Sequence, residues 1–416
     1  MERARLAQLL GAGVAPGGPR PTVISEAEPR KFMAMFATAV AAGGDIFLCD
    51  PSWGEVERGQ AEAIIRAPSA TAKLPSTARG WLMLPTGGTA GRIRFARHDA
   101  ETIVAAVHGF TEHFRLPRVN AVGVLPLFHV SGLMARLRCA LTGGNYLPVD
   151  WKEIEAGRLP ALPAAADGWT ISLVPTQLER LLRSKPAVDW LRNYRVIFVG
   201  GGPAWTTLLD RAVTERLPLA LSYGMTETAA MVTAQRPEEF LAGDRSCGTA
   251  LPHASISLDA AGAVSVEGGA VFCGYYPEWR VGGAFATADA GFLADGGRLH
   301  ITGRRDAVII TGGEKVQPTE VEAALRDTGE FAEVAVVGVA DAEWGQVVAA
   351  VFPATARPGL GRVVKMLRRA LAPQQRPKYF VPLTAWPVNA QGKVNRALAA
   401  QRAGEAIRSG AVAAAE

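Results

Sequence analysis

Five short apolar runs, at residues 46–48, 81–84, 122–125, 171–174 and 196–199, are bounded by turn residues and interleaved with amphipathic stretches of helical length, among them 99–114, 175–182 and 204–216. A chain that alternates strands and helices in this way covers its strands on both faces. The pattern therefore predicts a layered α/β domain with largely parallel strands. From about residue 254 the texture changes. Residues 255–258, 263–266 and 270–275 read as strands separated by Gly-rich turns, which predicts a β-rich lobe. A further change follows Asp306. Strand patterns at 308–311, 334–339 and 347–352 alternate with helical ones at 318–326 and 360–371, the first with Pro318 in its opening turn. This is a compact α+β module of about 100 residues. With 416 residues the chain is long for one core. The expected organisation is an N-terminal domain over 1–305 and a smaller C-terminal domain over 306–416.

Composition narrows the class of function. The chain is 49% hydrophobic and 20% charged, an ordinary globular balance. The net charge of +5 is spread without a dense basic block, which suits an anionic small molecule and argues against a nucleic-acid partner. Four cysteines, Cys49, Cys139, Cys247 and Cys273, lie far apart, so neither a disulfide framework nor a zinc site is expected, and a cytoplasmic setting fits. The apolar run 32–42 is shorter than the ~20 residues of a membrane span. It reads as a buried helix ended by Gly43 and Gly44.

The chemistry lies in an ordered series of short motifs. First comes Thr86-Gly87-Gly88-Thr89-Ala90-Gly91, between the run 81–84 and the alternating segment 93–97. Glycines there allow a sharp turn and leave backbone N–H groups free for a phosphate, while Thr86 and Thr89 add hydroxyls. No G-x-x-x-x-G-K-[ST] loop is present, and a plain hairpin turn is the competing reading. Next, Ser222-Tyr223-Gly224-Met225-Thr226-Glu227 follows the apolar run 219–221, with a capped helix start as the alternative. Asp289 follows, then Gly303-Arg304-Arg305-Asp306, Gly312-Gly313-Glu314-Lys315 and finally Gly392-Lys393. There is no G-x-S-x-G nucleophile elbow.

This series resembles the adenylate-forming superfamily of acyl-CoA ligases, luciferases and peptide-synthetase adenylation domains, which joins a carboxylate to AMP and then passes the acyl group to a thiol. The resemblance implies ATP, Mg²⁺ and coenzyme A as reactants and cofactor. It implies a nucleotide site drawn from Thr86, Gly87, Gly88, Thr89, Gly91, Arg94, Gly201, Gly202, Ser222, Tyr223, Gly224, Met225, Thr226, Asp289 and Arg304. Tyr223 would stack on adenine, Thr226 would touch the α-phosphate, Glu227 would hold the metal, and Asp289 would accept from the ribose. Asp306 would be the hinge of a mobile C-terminal domain. Gly312, Gly313 and Glu314 would line the coenzyme A channel, and Lys393 would meet the reacting carboxylate and phosphate. The chain departs from the usual pattern at Gly87 and Ala90, where hydroxyls are common, and at Ile93 and Arg94, which replace Pro-Lys; Arg94 keeps the positive charge.

Within the superfamily, residues 125–132 and 172–178 resemble the o-succinylbenzoate–CoA ligases of menaquinone and phylloquinone biosynthesis. That resemblance implies His129 in the acyl site. The substrate, o-succinylbenzoate, would carry a second carboxylate, for which Gln177 and Arg180, three apart on an expected helix, are candidates. A surface arginine is the equal alternative for Arg180. Two rival functions remain: a ligase for another aryl or fatty acid, and a non-catalytic AMP-binding relative.

Overall fold

The computed structural model describes residues 3–12, 20–67, 80–87, 93–388, 394–412 and 414. Its centre is a seven-stranded sheet in the order Thr249–Ala250, Ala230–Ala234, Leu219–Met225, Val196–Val199, Thr170–Leu173, Ala121–Gly123, Tyr146–Pro148. From Leu219–Met225 through to Tyr146–Pro148 the pairings are parallel, as the apolar runs require. Alternation along Val196–Val199 explains the layering. Ile197 and Val199 enter a core with Leu178, Leu191 and Leu208, while Val196 and Phe198 face a second core with Phe110, Phe114 and Leu116. Helix Ala100–Phe114 starts where Asp99 accepts from the N–H groups of Glu101 and Thr102. The helix expected at 32–42 runs over Pro29–Ala42 and ends at Gly43 with φ 89°.

A four-stranded sheet, Thr22–Ile24, Ile46–Leu48, Leu82–Gly87 and Ile93–His98, flanks the central one. The β-rich lobe is an antiparallel sheet of Ala254–Leu258, Ala263–Gly268, Phe285–Ala294 and Arg298–Arg304. The expected strand at 270–275 is absent. Its N–H groups go out singly instead, Phe272 to Glu227 O (2.8 Å) and Cys273 to Arg97 O (2.8 Å), and only Tyr275 bridges Ala96. Gly274, at φ 128°, breaks the extended path.

Asp306 sits in a single 3-10 turn, Arg305–Ala307, between the lobe and the last sheet. That sheet joins Glu314–Val316, Ile309–Thr311, Gly345–Pro353 and Ala335–Asp341, with Tyr379–Leu383 parallel to Gly345–Pro353. Helices Pro318–Asp327, Leu360–Ala370 and Arg396–Arg408 cover it. The protein is thus mixed α/β, with a large N-terminal and a smaller C-terminal domain. The two meet through polar contacts. The Thr207 N–H donates to Asp327 Oδ1 (3.4 Å), Arg180 reaches Glu333 (3.1 Å), and the Arg326 guanidinium lies 5.1 Å from the Trp205 ring. Among the described residues, no helix is long and apolar enough to cross a membrane.

Candidate active site

The Gly-rich motif lies at the tip of an antiparallel hairpin. Leu82–Gly87 pairs with Ile93–His98 in a register that sets Thr86 opposite Arg94 and Gly87 opposite Ile93. The hairpin alternative is thus the local structure, and it presents the loop rather than excluding its use. Gly88, Thr89, Ala90 and Gly91 lie outside the described residues. Thr86 is buried, and its Oγ1 has no hydrogen-bond partner among the described residues. A buried hydroxyl without a partner costs roughly 1–3 kcal/mol, so a ligand or solvent oxygen is the natural complement. The Arg94 guanidinium lies over the Tyr275 ring, 4.1 Å from its centroid.

The second motif occupies the carboxyl end of the central strand Leu219–Met225, where ligands of parallel sheets gather. Gly224 is required there, because a Cβ would fall 2.0 Å from Ala230 O on the neighbouring strand. The chain then makes one 3-10 turn, Thr226–Thr228, and reverses through Ala229 (φ 48°) and Ala230 (φ 87°). Two successive non-glycine residues in left-handed conformations are held by their surroundings. The fully buried Thr228 hydroxyl donates to Ala230 O (2.7 Å) and accepts from the Met225 N–H (3.0 Å). His98, at the end of the phosphate hairpin, donates from Nε2 to Thr226 O at 2.7 Å. Complete burial pushes this imidazole down to about 4, so it is neutral, and the carbonyl contact fixes the proton on Nε2. Glu227 is buried, and its Oε1 accepts the Tyr275 hydroxyl at 2.6 Å.

The lobe supplies the adjoining wall. Tyr223 donates to Asp289 Oδ2 at 2.8 Å, and Thr287 Oγ1 receives the Asp289 N–H at 3.1 Å. Burial, then the Asp289 charge, raises the Tyr223 phenol far above its ordinary range. Arg304 stands 3.9 Å from Asp289 and grips Asp306 with both arms of its fork, Nε to Oδ1 at 2.7 Å and Nη2 to Oδ2 at 2.5 Å. The Asp306 contact, with Asp289 and Glu227 behind it, raises the Arg304 guanidinium further. Tyr223, Glu227, Asp289, Arg304 and Arg94 are therefore brought together around Tyr275. Ser222 packs against the turn after Val196–Val199: a Cβ on Gly200 would lie 2.9 Å from Ser222 Oγ. Gly201 and Gly202 follow there, exposed, with Gly201 at φ 76°.

On the acyl side, His129 stands at the residue before helix Val130–Thr142, and its Nε2 lies 3.9 Å from the buried Asp50 carboxylate. Gln177 folds back on its own helix, its Oε1 accepting the Val174 N–H at 3.0 Å. Of the two readings of Arg180, the half-exposed surface one matches this arrangement. Its guanidinium bridges Glu155 (2.7 Å) and Glu333 (3.1 Å), so in this arrangement it joins the domains and does not offer its fork to a ligand. Gly312 (φ 57°) and Gly313 (φ 85°) form the two-residue turn between Ile309–Thr311 and Glu314–Val316, a geometry that favours glycine at both places. Glu314 is exposed at that hairpin. Lys393 lies outside the described residues, though the bridge Val388–Val394 and the Asn395 N–H to Pro387 O bond (2.7 Å) close the flanking chain.

Sequence reasoning passed over His98, Thr287 and Tyr275. His98 carries no local signal. Tyr275 had one: it is a tyrosine beside a Gly-rich turn, but it was read as part of a strand.

Comparison with known proteins agrees with this geometry. The family model described as AMP-binding enzyme matches residues 52–276, and that of its C-terminal domain matches 320–393. A 2-succinylbenzoate–CoA ligase of Listeria monocytogenes is 33% identical over 279 residues, 65% of this chain and 59% of that protein, so the match spans under two thirds of the relative's length. An indoleacetate–CoA ligase of Aromatoleum aromaticum is 30% identical over 335 residues, 76% of this chain and 66% of its own. In fold, the chain superposes with a TM-score of 0.74 on the o-succinylbenzoate CoA synthetase of Bacillus subtilis in complex with the acyl-adenylate OSB-AMP. The identity is 22%, with 95% of this chain and 90% of the other covered. A family match over more than half the sequence, on the segment that carries the hairpin, the braced glutamate and Tyr275, places this chain in the AMP-binding enzyme family.

Proposed function

We propose that the protein is an AMP-forming acid–thiol ligase acting on o-succinylbenzoate. In the first half-reaction a carboxylate oxygen of the acid attacks the α-phosphorus of ATP, the bond to pyrophosphate breaks, and an acyl-AMP forms. In the second, the sulfur of coenzyme A attacks the acyl carbon, AMP leaves, and the thiol proton is lost to solvent. The observation that carries this reading is the meeting of Glu227, Asp289, Arg304 and Arg94 at the carboxyl end of the central sheet, joined through Tyr223 and Tyr275.

In this reading Tyr223 presents its ring to adenine while its hydroxyl holds Asp289 ready for the ribose. Gly201, Gly202, Ser222, Gly224 and Met225 offer backbone along the same wall. Thr86, Gly87, Gly88, Thr89, Gly91 and Arg94 take the pyrophosphate end, where the Thr86 hydroxyl, without a partner among the described residues, finds its acceptor. Thr226 faces the α-phosphate. Magnesium takes oxygen ligands and usually one or two carboxylates beside phosphates, and buried Glu227 fits it, since the recorded hydrogen bond occupies only Oε1. When bound, the ion offsets charge on the phosphate oxygens. Lys393 brings a cation to the two approaching anions. His129 lines the acyl pocket with Gln177 nearby. Residues 306–416 turn about Asp306 so that Gly312, Gly313 and Glu314 border the path of coenzyme A.

The coenzyme A requirement and the acid rest also on the Listeria ligase. The indoleacetate–CoA ligase favours a second reading, the same chemistry on another aryl acid. Pyrophosphate release from ATP, Mg²⁺ and a panel of acids tests both. Release strongest with o-succinylbenzoate supports the first reading, release strongest with another aryl acid supports the second, and no release with any acid removes the enzyme.

A further inference from the structure

Between the phosphate hairpin and the glutamate turn runs a segment that neither motif includes. Cys273 and Tyr276 donate their N–H groups to Arg97 O (2.8 Å) and Phe95 O (2.9 Å), and the Arg97 N–H returns one to Gly274 O (2.9 Å). The Phe272 N–H donates to Glu227 O at 2.8 Å. The segment is therefore fastened to both walls of the nucleotide site by backbone bonds. At its middle stands Tyr275, packed edge-on against Phe272 at 4.8 Å. One end of its side chain, the hydroxyl, reaches Glu227 Oε1 at 2.6 Å, and its ring face carries Arg94 at 4.1 Å. Among the described residues, no other side chain pairs with both of these charged groups.

We infer that Tyr275 is the positioning residue of the adenylation site: its hydroxyl orients Glu227 for the divalent cation, and its ring sets Arg94 toward the terminal phosphates of ATP. This rests on the function proposed above. The physics favours such a strut. A short hydrogen bond to an ionised carboxylate fixes one oxygen and turns the other outward, and an arginine on an aromatic face keeps its planar fork while losing rotational freedom. A phenolic hydroxyl is a ready donor to a carboxylate oxygen, and the 2.6 Å contact has that geometry. Sequence separates these partners widely, Arg94 by 181 positions and Glu227 by 48. The two functions reside on different parts of one side chain and can be removed one at a time.

The test uses the full chain and a non-hydrolysable probe, α,β-methylene-ATP, titrated calorimetrically at a series of Mg²⁺ concentrations, alongside AMP and pyrophosphate release. Tyr275→Phe keeps the ring and loses the hydroxyl. It should need about ten-fold more Mg²⁺ for the same affinity, with metal-free affinity, AMP binding and melting temperature unchanged and kcat lowered more than the KM for ATP. Tyr275→Leu loses both and should in addition weaken the probe without metal, while AMP binding stays. Tyr275→His, which returns an aromatic donor, should recover part of the Mg²⁺ dependence and keeps the test open should Phe fail to fold. An unchanged Mg²⁺ profile in Tyr275→Phe, or equal losses for AMP and the probe in all three variants, overturns the inference. If the unaltered protein releases no pyrophosphate with any acid yet Tyr275→Phe still shifts the Mg²⁺ profile, the enzyme reading fails and the strut stands.

Discussion

The glutamate turn at 226–228 and the glycine hairpin at 312–313 are both tight reversals at strand ends, yet they are stabilised in opposite ways. The first is held from outside. His98 from one segment, and Phe272 and Tyr275 from another, reach it, and it places two alanines in left-handed conformations. The second is held by its own sequence: two glycines at positive φ complete a two-residue turn, and the recorded contact with a distant residue is the Gly312 N–H to Trp344 O at 3.0 Å. A reversal fixed by remote contacts can hold a charged group rigidly. One fixed by local backbone preference can travel with its domain and keep its shape. This contrast matches the proposed roles, a stationary metal and nucleotide site and a moving channel wall.

The largest effects should fall on the first half-reaction. Glu227→Gln and Lys393→Ala should each lower adenylation by about 10²–10³-fold, read as acid-dependent ATP–pyrophosphate exchange, with Lys393→Ala retaining nucleotide affinity. Equal loss of binding and exchange in Lys393→Ala would assign it to the ground state instead.

Acid should loosen the braced turn next. His98 titrates near 6.5 in an unfolded chain and is pushed down to about 4 in the fold. As pH falls below 6.5 the unfolded state takes the proton first. The stabilisation is thus complete above 6.5 and is lost progressively toward pH 4, on the order of 3 kcal/mol in all. His253, lowered likewise to about 4, adds to the same window. Chemical denaturation across this range should show a shallower slope in His98→Gln; an unchanged slope would remove His98 from the account.

The hairpin should respond more mildly and in the other half-reaction. A Cβ on Gly312 would lie 2.6 Å from the Trp344 ring, at a backbone angle that disfavours side chains. Gly312→Ala should slow thioester formation about ten-fold while exchange stays near the unaltered level. If exchange falls instead, the two regions are not separable. Smallest of all, Arg180→Ala removes a half-exposed ion pair and should cost less than ~1 kcal/mol in melting experiments. It should leave the preference for o-succinylbenzoate intact. A selective rise in the KM for that acid would restore Arg180 to the acyl site.

How much of this was legible follows the same division. The apolar runs foretold the central sheet because burial on both faces is a property of local sequence, and residues 196–199 matched end to end. Gly312 and Gly313 were legible only as a glycine motif, and the hairpin they close appears with the strand Glu314–Val316. The nucleotide wall could be read only as an order of motifs, because Tyr223 and Asp289 meet across 66 positions and nothing near either one records it. Tyr275 was mistaken for a strand residue, since apolar alternation over 270–275 cannot show that the backbone hydrogen bonds leave in different directions. Arg180 looked available to a ligand because its partner Glu333 arrives from 153 residues away. The helix Arg396–Arg408 was missed in an Ala-rich stretch with little amphipathic signal. It is anchored by Arg396 on the buried Glu322, at 2.5 and 3.0 Å.

The contacts between the two domains have a consequence for turnover. A carboxylate at a helix start, an exposed arginine pair and a cation on an indole are all weakened by dissolved salt to some degree, and little apolar surface would have to be wetted to part them. If residues 306–416 turn about Asp306 as proposed, such a seam should open with a small barrier and close again without refolding. Ionic strength should therefore govern how long the molecule dwells between its two tasks, and leave its grip on the nucleotide much as it was.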